Sequence, residues 1–297
     1  MFTPFGRKRI GDVVVGDKVI GSDGDAYNVI GVYPQGIKHV YKITFNDGCS
    51  IECGEEHLWT VFDGNETKTL MTKEIKELSY TNFQIPVVKP IQFINDDELP
   101  IEPYLMGILI SNGNYVDNSD FDEIYGKYIE RNYLGARELT KGLEKVRIIQ
   151  FDDIAEENKL KKLKLNAKAS ERFIPDSYKY TSINNRLKLL CGLMDADGFC
   201  TPYHTEFKTS SEKLADDMVE LIQSLGGIAI KYFIDGFYHL NIKMPRPFNP
   251  FRLSRKHDVY HFVLKHEISR YIKDISYVGE KECICIAVDS DDHLYVT

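Results

Sequence analysis

Long apolar runs are missing from this chain. Nowhere in its 297 residues do roughly eighteen apolar residues follow one another, which excludes a membrane-spanning helix as a reading. No charged-then-apolar segment opens it, so a secretory signal is not expected and the expected location is the cytoplasm. Cysteine is sparse and scattered, at 49, 53, 191, 200, 283 and 285. The C-x-x-x-C and C-x-C pairs lie too far apart to read as one zinc site. Thiols kept reduced in a cytosolic protein are the simpler expectation. An excess of positive charge is lacking too: 37 Lys and Arg face 45 Asp and Glu, a net charge of −8. Over the whole chain that argues against nucleic-acid binding. Tryptophan occurs once, at Trp59.

What is present is enough apolar material for a sizeable core, 43% of residues, and enough length for two or three domains. The charge is also uneven. Asn241 to Ile275 carries eight Lys and Arg against three acids, while Glu280 to Thr297 carries five acids and one Lys. A basic stretch inside an acidic chain fits a local phosphate-binding face as well as a solvated surface.

The first sixty residues alternate turn signals with β-branched runs. Gly11-Asp12, Gly16-Asp17, Asp23-Gly24 and Asp47-Gly48 punctuate Val13–Val15, Val19–Ile20, Val29–Val32 and Val40–Phe45. This pattern predicts an all-β unit. From about Asp96 the texture changes. YLMGILISNG (Tyr104–Gly113) predicts a helix stopped by Gly113 in a left-handed turn, and LLCGLMDADG closes a second helix at Gly198. Polar residues 117–170 separate them, with a strand candidate at Val146–Phe151. A strand at Glu206–Thr209 and a helix capped by Ser211 and ended by Gly226 follow. A hairpin is predicted across Asp235-Gly236. The tail returns to β texture, which suggests one β domain interrupted by an insertion.

The two helices share the frame L-x-G-L/I-x-x-x-D/N-G, their starts at Leu105 and Leu190 lying 85 residues apart. Gly107 and Gly192 sit mid-face, where small residues let helix backbones approach. If the helices pack together, Asn112 and Asp197 meet at the paired ends. An acid at a helix C-terminus opposes the macrodipole by roughly 0.3–1 kcal/mol. That cost makes sense if a cation binds there. Carboxylate and helix-end carbonyl oxygens suit Mg²⁺, which would activate water between DNA phosphates. A capped helix with merely solvated acids is the plainer alternative.

On these residues the repeat resembles the LAGLIDADG (DOD-type) homing endonucleases. RFIPDSY and EFKTSSEKLADDMVELIQSLGG extend the match. The resemblance implies an α+β domain of two pseudo-symmetric αββαββ units, a Mg²⁺ site at Asp197 and Asn112, and double-stranded DNA as partner. Lys208, Lys231, Lys243 and Arg246 would touch DNA. Two departures matter. Asn112 is neutral where the family has an acid. Arg172 stands where the family has Lys, and arginine cannot transfer a proton because its pKa stays above about 12. Cleavage is therefore expected to be weak, restricted to one strand, or lost, with binding surviving.

The ends, TPFGRKRIGDVVVGDKVIGSDG, the stretch through CGEEHLWTV, and KECICIAVDSDDHLYVT, resemble the Hint fold of inteins. The resemblance implies an all-β, horseshoe-like protein-splicing domain. Its halves are 1–95 and 258–297, the latter including a linker helix, around an endonuclease at 96–257. It also implies flanking extein segments as partners, autocatalytic cleavage and a monomer. His57 would donate a proton toward the scissile amide nitrogen. Cys285 matches a nucleophile position of one intein class, coupled there to a tryptophan at the place of Trp59. Cys283 faces the same way by strand alternation, so pattern alone does not choose between the thiols. Asp289 and His293 fall in the family's last blocks, where His293 would assist Asn cyclisation or serve a turn. Met1 falls inside the usual start and Thr297 before the usual terminal Asn, so this chain is not expected to splice itself out.

Overall fold

The computed structural model describes residues 1–64, 66–78, 83–95, 98–112, 115–117, 134–141, 144–151, 168–260, 268 and 270–297; within 112–167 it describes backbone only. Among these residues the fold is mixed, several β-sheets with helices.

Both chain ends build one sheet. Its strands are β3 (Lys18–Ile20), β4 (Ala26–Phe45), β5 (Ser50–Gly54), β6 (Leu58–Asp63), β7 (Glu66–Met71), β8 (Gln84–Ile85) and β16 (Arg270–Val288). The order is β3-β4-β16-β8-β6-β7, with β5 also on β4. A short hairpin, β1 (Phe2–Thr3) and β2 (Gly6–Arg7), precedes them, and helix α1 (Thr72–Glu77) follows β7. The spine is β4 against β16, antiparallel from Ile272↔Phe45 to Val288↔Val29. Here the sequence expectation needs correction. Val29–Val32 and Val40–Phe45 are one continuous strand, because the intervening residues pair across to β16 through register shifts instead of turning. Val13–Val15 forms no strand. Val13 is buried while Val14 and Val15 are exposed, in a turn that the Asp17 carboxylate fastens by accepting from the Val14 N–H (2.8 Å).

Between the ends lie α2 (Pro103–Asn112) and a sheet ordered β10-β11-β9, with β9 Tyr115–Asp117, β10 Leu134–Lys141 and β11 Glu144–Phe151. Helices α3 (Asp176–Lys179) and α4 (Ile183–Asp197) follow. Next come β12 (Gly198–Thr201), β13 (His204–Thr209), α5 (Glu212–Ser224), β14 (Ile228–Ile234), β15 (Phe237–Lys243) and α6 (Ser254–Tyr260). From α4 to β15 the order is thus αββαββ, with the sheet arranged β12-β13-β15-β14. The hairpin turn is of the two-residue left-handed kind, Asp235 at φ 50° and Gly236 at φ 81°. Ser211 caps α5 by accepting from Leu214 N–H (3.1 Å), and Gly226 ends it at φ 78°. Gly198 ends α4 where the sequence predicts. It is extended (φ −77°, ψ 148°) and starts β12 directly. Glycine is needed there for space, since a Cβ would lie 2.4 Å from Met194 O. Gly113 lies outside the described residues.

The largest core draws only on residues between 101 and 260, the helices α2, α4 and α5 and the inner face of the β12–β15 sheet. Smaller cores lie under the end-built sheet. A fourth, Phe2, Ile20, Ile91 and Phe93 with Tyr180 against it, joins the two parts. Arg186, fully buried, fastens that joint. Its guanidinium donates to Thr181 O (2.9 Å), Ser224 O (2.8 Å) and Ile91 O, and lies 4.7 Å over Phe93. Burial without a carboxylate lowers its pKa to about 9. Among the described residues no helix is long and apolar enough to cross a membrane.

Candidate functional site

α2 and α4 cross glycine to glycine. A Cβ on Gly192 would fall 2.0 Å from Tyr104 O and 3.1 Å from Gly107 Cα; one on Gly107 would fall 2.4 Å from Leu189 O. The backbones touch because no side chain intervenes, as the repeated frame requires. Toward their C-terminal ends, Ser111 Oγ donates to Leu193 O across the pair (3.4 Å), and its hydroxyl acts to lower the Asp197 pKa. Asn112 closes α2 at this end; its side chain lies outside those described.

The two acids of the DAD motif have separate fates. Asp195 is buried, 1% exposed. It accepts from Tyr104 Oη (2.8 Å) and from the backbone N–H groups of Arg252 and Leu253 (3.1–3.2 Å), so it locks α2 and the segment before α6 to α4. Burial pushes its pKa up to about 6 against the pull of those donors. Asp197 instead opens onto a cleft of about 320 Å³ with Arg172, Lys208, Ala169, Thr209, Ser210 and Phe237. Its carboxylate reaches solvent, yet the surrounding wall still raises its pKa through desolvation, opposed by Arg172, Ser111 and Lys256. Not every carbonyl at the end of α4 is free, contrary to the sequence expectation. Lys256 Nζ donates to Met194 O (3.0 Å), Asp195 O (2.6 Å) and Gly198 O (2.7 Å). A buried ammonium thus offsets the helix dipole in the place assigned to metal ligation.

Of the cations expected at DNA, Lys208 and Lys243 lie on the outer face of the sheet, away from α5. Lys208 Nζ rests 4.0 Å over the Phe237 ring. Lys231 does not join them. It pairs with Leu240 on the inner face and its amine is taken by Asp216 of α5. The residue before it in the alternation, Ile230, holds the outward position. Arg246 is exposed but lies beyond the end of β15.

In the end-built sheet, His57 stands edge-on to Trp59, 5.1 Å between ring centres at 83°. Trp59 Nε1 donates to Thr72 Oγ1 (3.0 Å), which also touches Cys53 Sγ (3.3 Å) and donates to His57 O (3.4 Å). Burial lowers the His57 pKa, favouring the neutral ring. Cys285 is exposed and Cys283 half-buried, its pKa raised by burial. Burial, with smaller contributions from Cys285 and Cys53, pushes the Tyr295 phenol up to about 12. His293 sits in a turn at φ 57°, near Val288 O (3.4 Å), and Asp289 clasps Asn28 N and Nδ2 (2.7 Å each). Thr72, Tyr295, Ser111 and Lys256 escaped sequence reasoning, because each acts across strands or helices distant in the chain.

No family model matches the chain. It is 25% identical over 324 residues to the replicative DNA helicase DnaB of Mycobacterium intracellulare, an alignment taking in 99% of this chain and 55% of that protein. The chain therefore spans about half the length of the curated relative it matches. Among solved structures, variants of the homing endonuclease I-DmoI are 15% identical, covering 55% of this chain and 97% of theirs, at a TM-score of 0.38. The MchDnaB-1 intein is 28% identical, covering 30% of this chain and 67% of its own, at a TM-score of 0.25. The chain resembles an intein with an inserted LAGLIDADG endonuclease.

Proposed function

We propose that this chain is a homing-type DNA endonuclease carried on an intein scaffold, with domains 1–95, 96–257 and 258–297. The observation that carries it is the glycine-to-glycine crossing of α2 and α4, which brings the ends of both repeats to one side, where Asp197 faces a cleft with Arg172 and Lys208. Two cations beside one carboxylate suit a phosphodiester. Arg172 and Lys208 bind phosphate oxygens, and Lys243 and Arg246 extend contact along the duplex. Arg172 keeps its proton and so fixes charge instead of relaying a proton.

A hard carboxylate oxygen whose ionisation burial disfavours fits a divalent cation. Asp197, with Asn112 from the end of α2, would hold Mg²⁺, which when bound supplies charge stabilisation at the phosphate. The neutral Asn112 also supports a second reading, a DNA-binding form with weakened or lost cutting. In the intein part, the accessible Cys285 thiol is the nucleophile for a carbonyl at the N-terminal junction, and the neutral His57 offers its N–H toward the amide nitrogen. Extein segments are the partners there, and the whole acts as a monomer in the cytoplasm.

Digestion of a long-site DNA library with and without Mg²⁺ tests the reading. We expect Mg²⁺-dependent double-strand cuts by the native chain and none by Asp197→Ala. Equal cutting by that variant overturns the assignment. Salt-sensitive, site-selective binding without cutting supports the second reading.

A further inference from the structure

The two cations at the Asp197 cleft reach it from separate parts of the chain. Lys208 comes from β13, three residues before Ser211. Arg172 follows the single turn of 3-10 helix Ala169–Glu171, in extended conformation (φ −66°, ψ 150°). Among the described residues Arg172 pairs in no sheet, so no strand ladder sets its place. No hydrogen bond among them holds its guanidinium either. Where that guanidinium reaches is therefore set by what grips the backbone. Two contacts do so, and both come from α5 and its cap. Ser211 Oγ donates to Arg172 O (2.6 Å), and the Asp217 carboxylate accepts from Ile174 N–H (2.9 Å). Asp217 is itself fixed, buried between Lys179 Nζ (2.9 Å) and Lys213 Nζ.

Ser211 is fully buried, and its hydroxyl has two tasks. A lone pair accepts from Leu214 N–H (3.1 Å) and caps α5, while the proton goes to Arg172 O. The cap does not need that proton. A helix N-terminus asks only for an acceptor, which Asp would supply as well as Ser. An ionised carboxylate could not donate to a carbonyl. The bond to Arg172, 39 residues away, is thus a task beyond capping. The Ser211 N–H in turn donates to Thr209 Oγ1 (3.1 Å), and Thr209 lines the cleft beside Lys208. One residue therefore joins the start of α5, the backbone of Arg172 and the end of the strand that carries Lys208. Two cations serve one phosphodiester only at a matched spacing, and Ser211 is where the two segments that carry them are fastened together.

We propose that Ser211 is a positioning residue, which holds Arg172 O at the start of α5 and so sets the spacing at which the Arg172 and Lys208 charges both meet phosphate. The inference rests on the DNA reading above and names a residue on which its cleft depends. The test is binding of the full chain to a random-sequence DNA duplex, with EDTA so that nothing is cut, from about 50 to about 200 mM salt. Each phosphate neutralised by a protein cation steepens the fall of log affinity with log salt by about 0.9. Arg172→Ala is expected to flatten that slope by about 0.9. Ser211→Gly deletes the hydroxyl, and glycine is accepted at a helix cap nearly as well as serine. It is expected to flatten the slope by the same about 0.9, and the double variant by no more than either alone. Ser211→Ala makes the same deletion without the freedom of glycine and should match it. Ser211→Thr keeps a hydroxyl and should keep the native slope. Circular dichroism melting reports the fold of each variant. A residue that only capped α5 would lower the melting temperature and leave the slope unchanged. A native slope in folded Ser211→Gly or Ser211→Ala overturns this inference alone. So does a loss in the double variant twice that of Arg172→Ala, or unfolding of both deletion variants, which would make the hydroxyl a prop of the fold. Absence of salt-dependent binding by the native chain overturns the DNA reading and this inference with it.

Discussion

Replacing Gly192 by alanine puts the central contact under direct strain. The new methyl would sit 2.0 Å from the Tyr104 carbonyl oxygen, where ordinary contact begins at 3.4 Å, and 3.1 Å from Gly107 Cα. Both opposing atoms belong to backbone, so no side chain can swing away. α2 and α4 must separate by about 1.4 Å on that side. Intrinsic propensity acts the other way, favouring alanine in a helix by about 1 kcal/mol. Overpacking of a close-packed interior costs roughly 1–3 kcal/mol, and here there is no rotamer to absorb it, so the upper end applies. The net expectation is a loss of about 2 kcal/mol, a fall in melting temperature of about 4–8 °C for a unit of this size. Separation also moves the helix ends apart, and a misplacement near 1 Å at a reacting centre costs on the order of a hundredfold in rate. Thermal unfolding followed by circular dichroism, together with the digestion assay, reads both effects. An alanine variant as stable as the native chain, or more stable, would refute the close crossing, because propensity alone would then be setting the result.

Asp195 gives a pH signature. Its pKa is raised from the ordinary 3.8 to about 6 in the folded chain, so the folded state holds this proton more tightly than the unfolded one. The group favours folding below about pH 4, and that contribution is lost as pH rises through about 6, a change on the order of 3 kcal/mol. Asp195→Asn has no proton to lose, so its stability relative to the native chain should rise across that window; a constant difference in urea midpoints would contradict the burial argument. Thiol reactivity orders the cysteines. Cys285 is exposed, while burial pushes Cys53 to about 11 and Cys191 to about 12. Iodoacetamide at neutral pH should modify Cys285 first and Cys191 last, as peptide mass mapping would show, and equal rates at Cys285 and Cys53 would count against the assigned nucleophile.

Much of this was legible in local sequence because local chemistry decides it. The Asp235-Gly236 turn, the Ser211 cap and the Gly107/Gly192 frame each act within a few residues or by a repeated spacing, and each stands as read. The errors fall where partners come from afar. The 20-residue β4 looked like two strands because Pro34 and Gly36 mimic a turn, but pairing with β16, more than two hundred residues later, holds the segment extended. Lys231 was expected at DNA from the resemblance, whereas strand parity sends it to α5. Asp197 stood out in sequence as the acid at the helix end, whereas only tertiary packing shows Asp195 to be a buried lock. The Lys256 cap on α4 comes from a helix 58 residues beyond Gly198 and leaves no local signal.

The claim beneath everything here is that the C-terminal ends of the two repeats lie side by side. Ser111 Oγ donates to Leu193 O across that junction (3.4 Å) and acts on the Asp197 carboxyl, so cysteines at 111 and 197 are expected to meet within reach of a cross-link. The direct measurement is oxidation of a Ser111→Cys/Asp197→Cys double variant, with cross-linked peptides identified by mass spectrometry and the native thiols as internal comparison. The account predicts rapid formation of a 111–197 link in the folded chain and its loss in denaturant. Two free thiols at these positions after oxidation of the folded protein would contradict it.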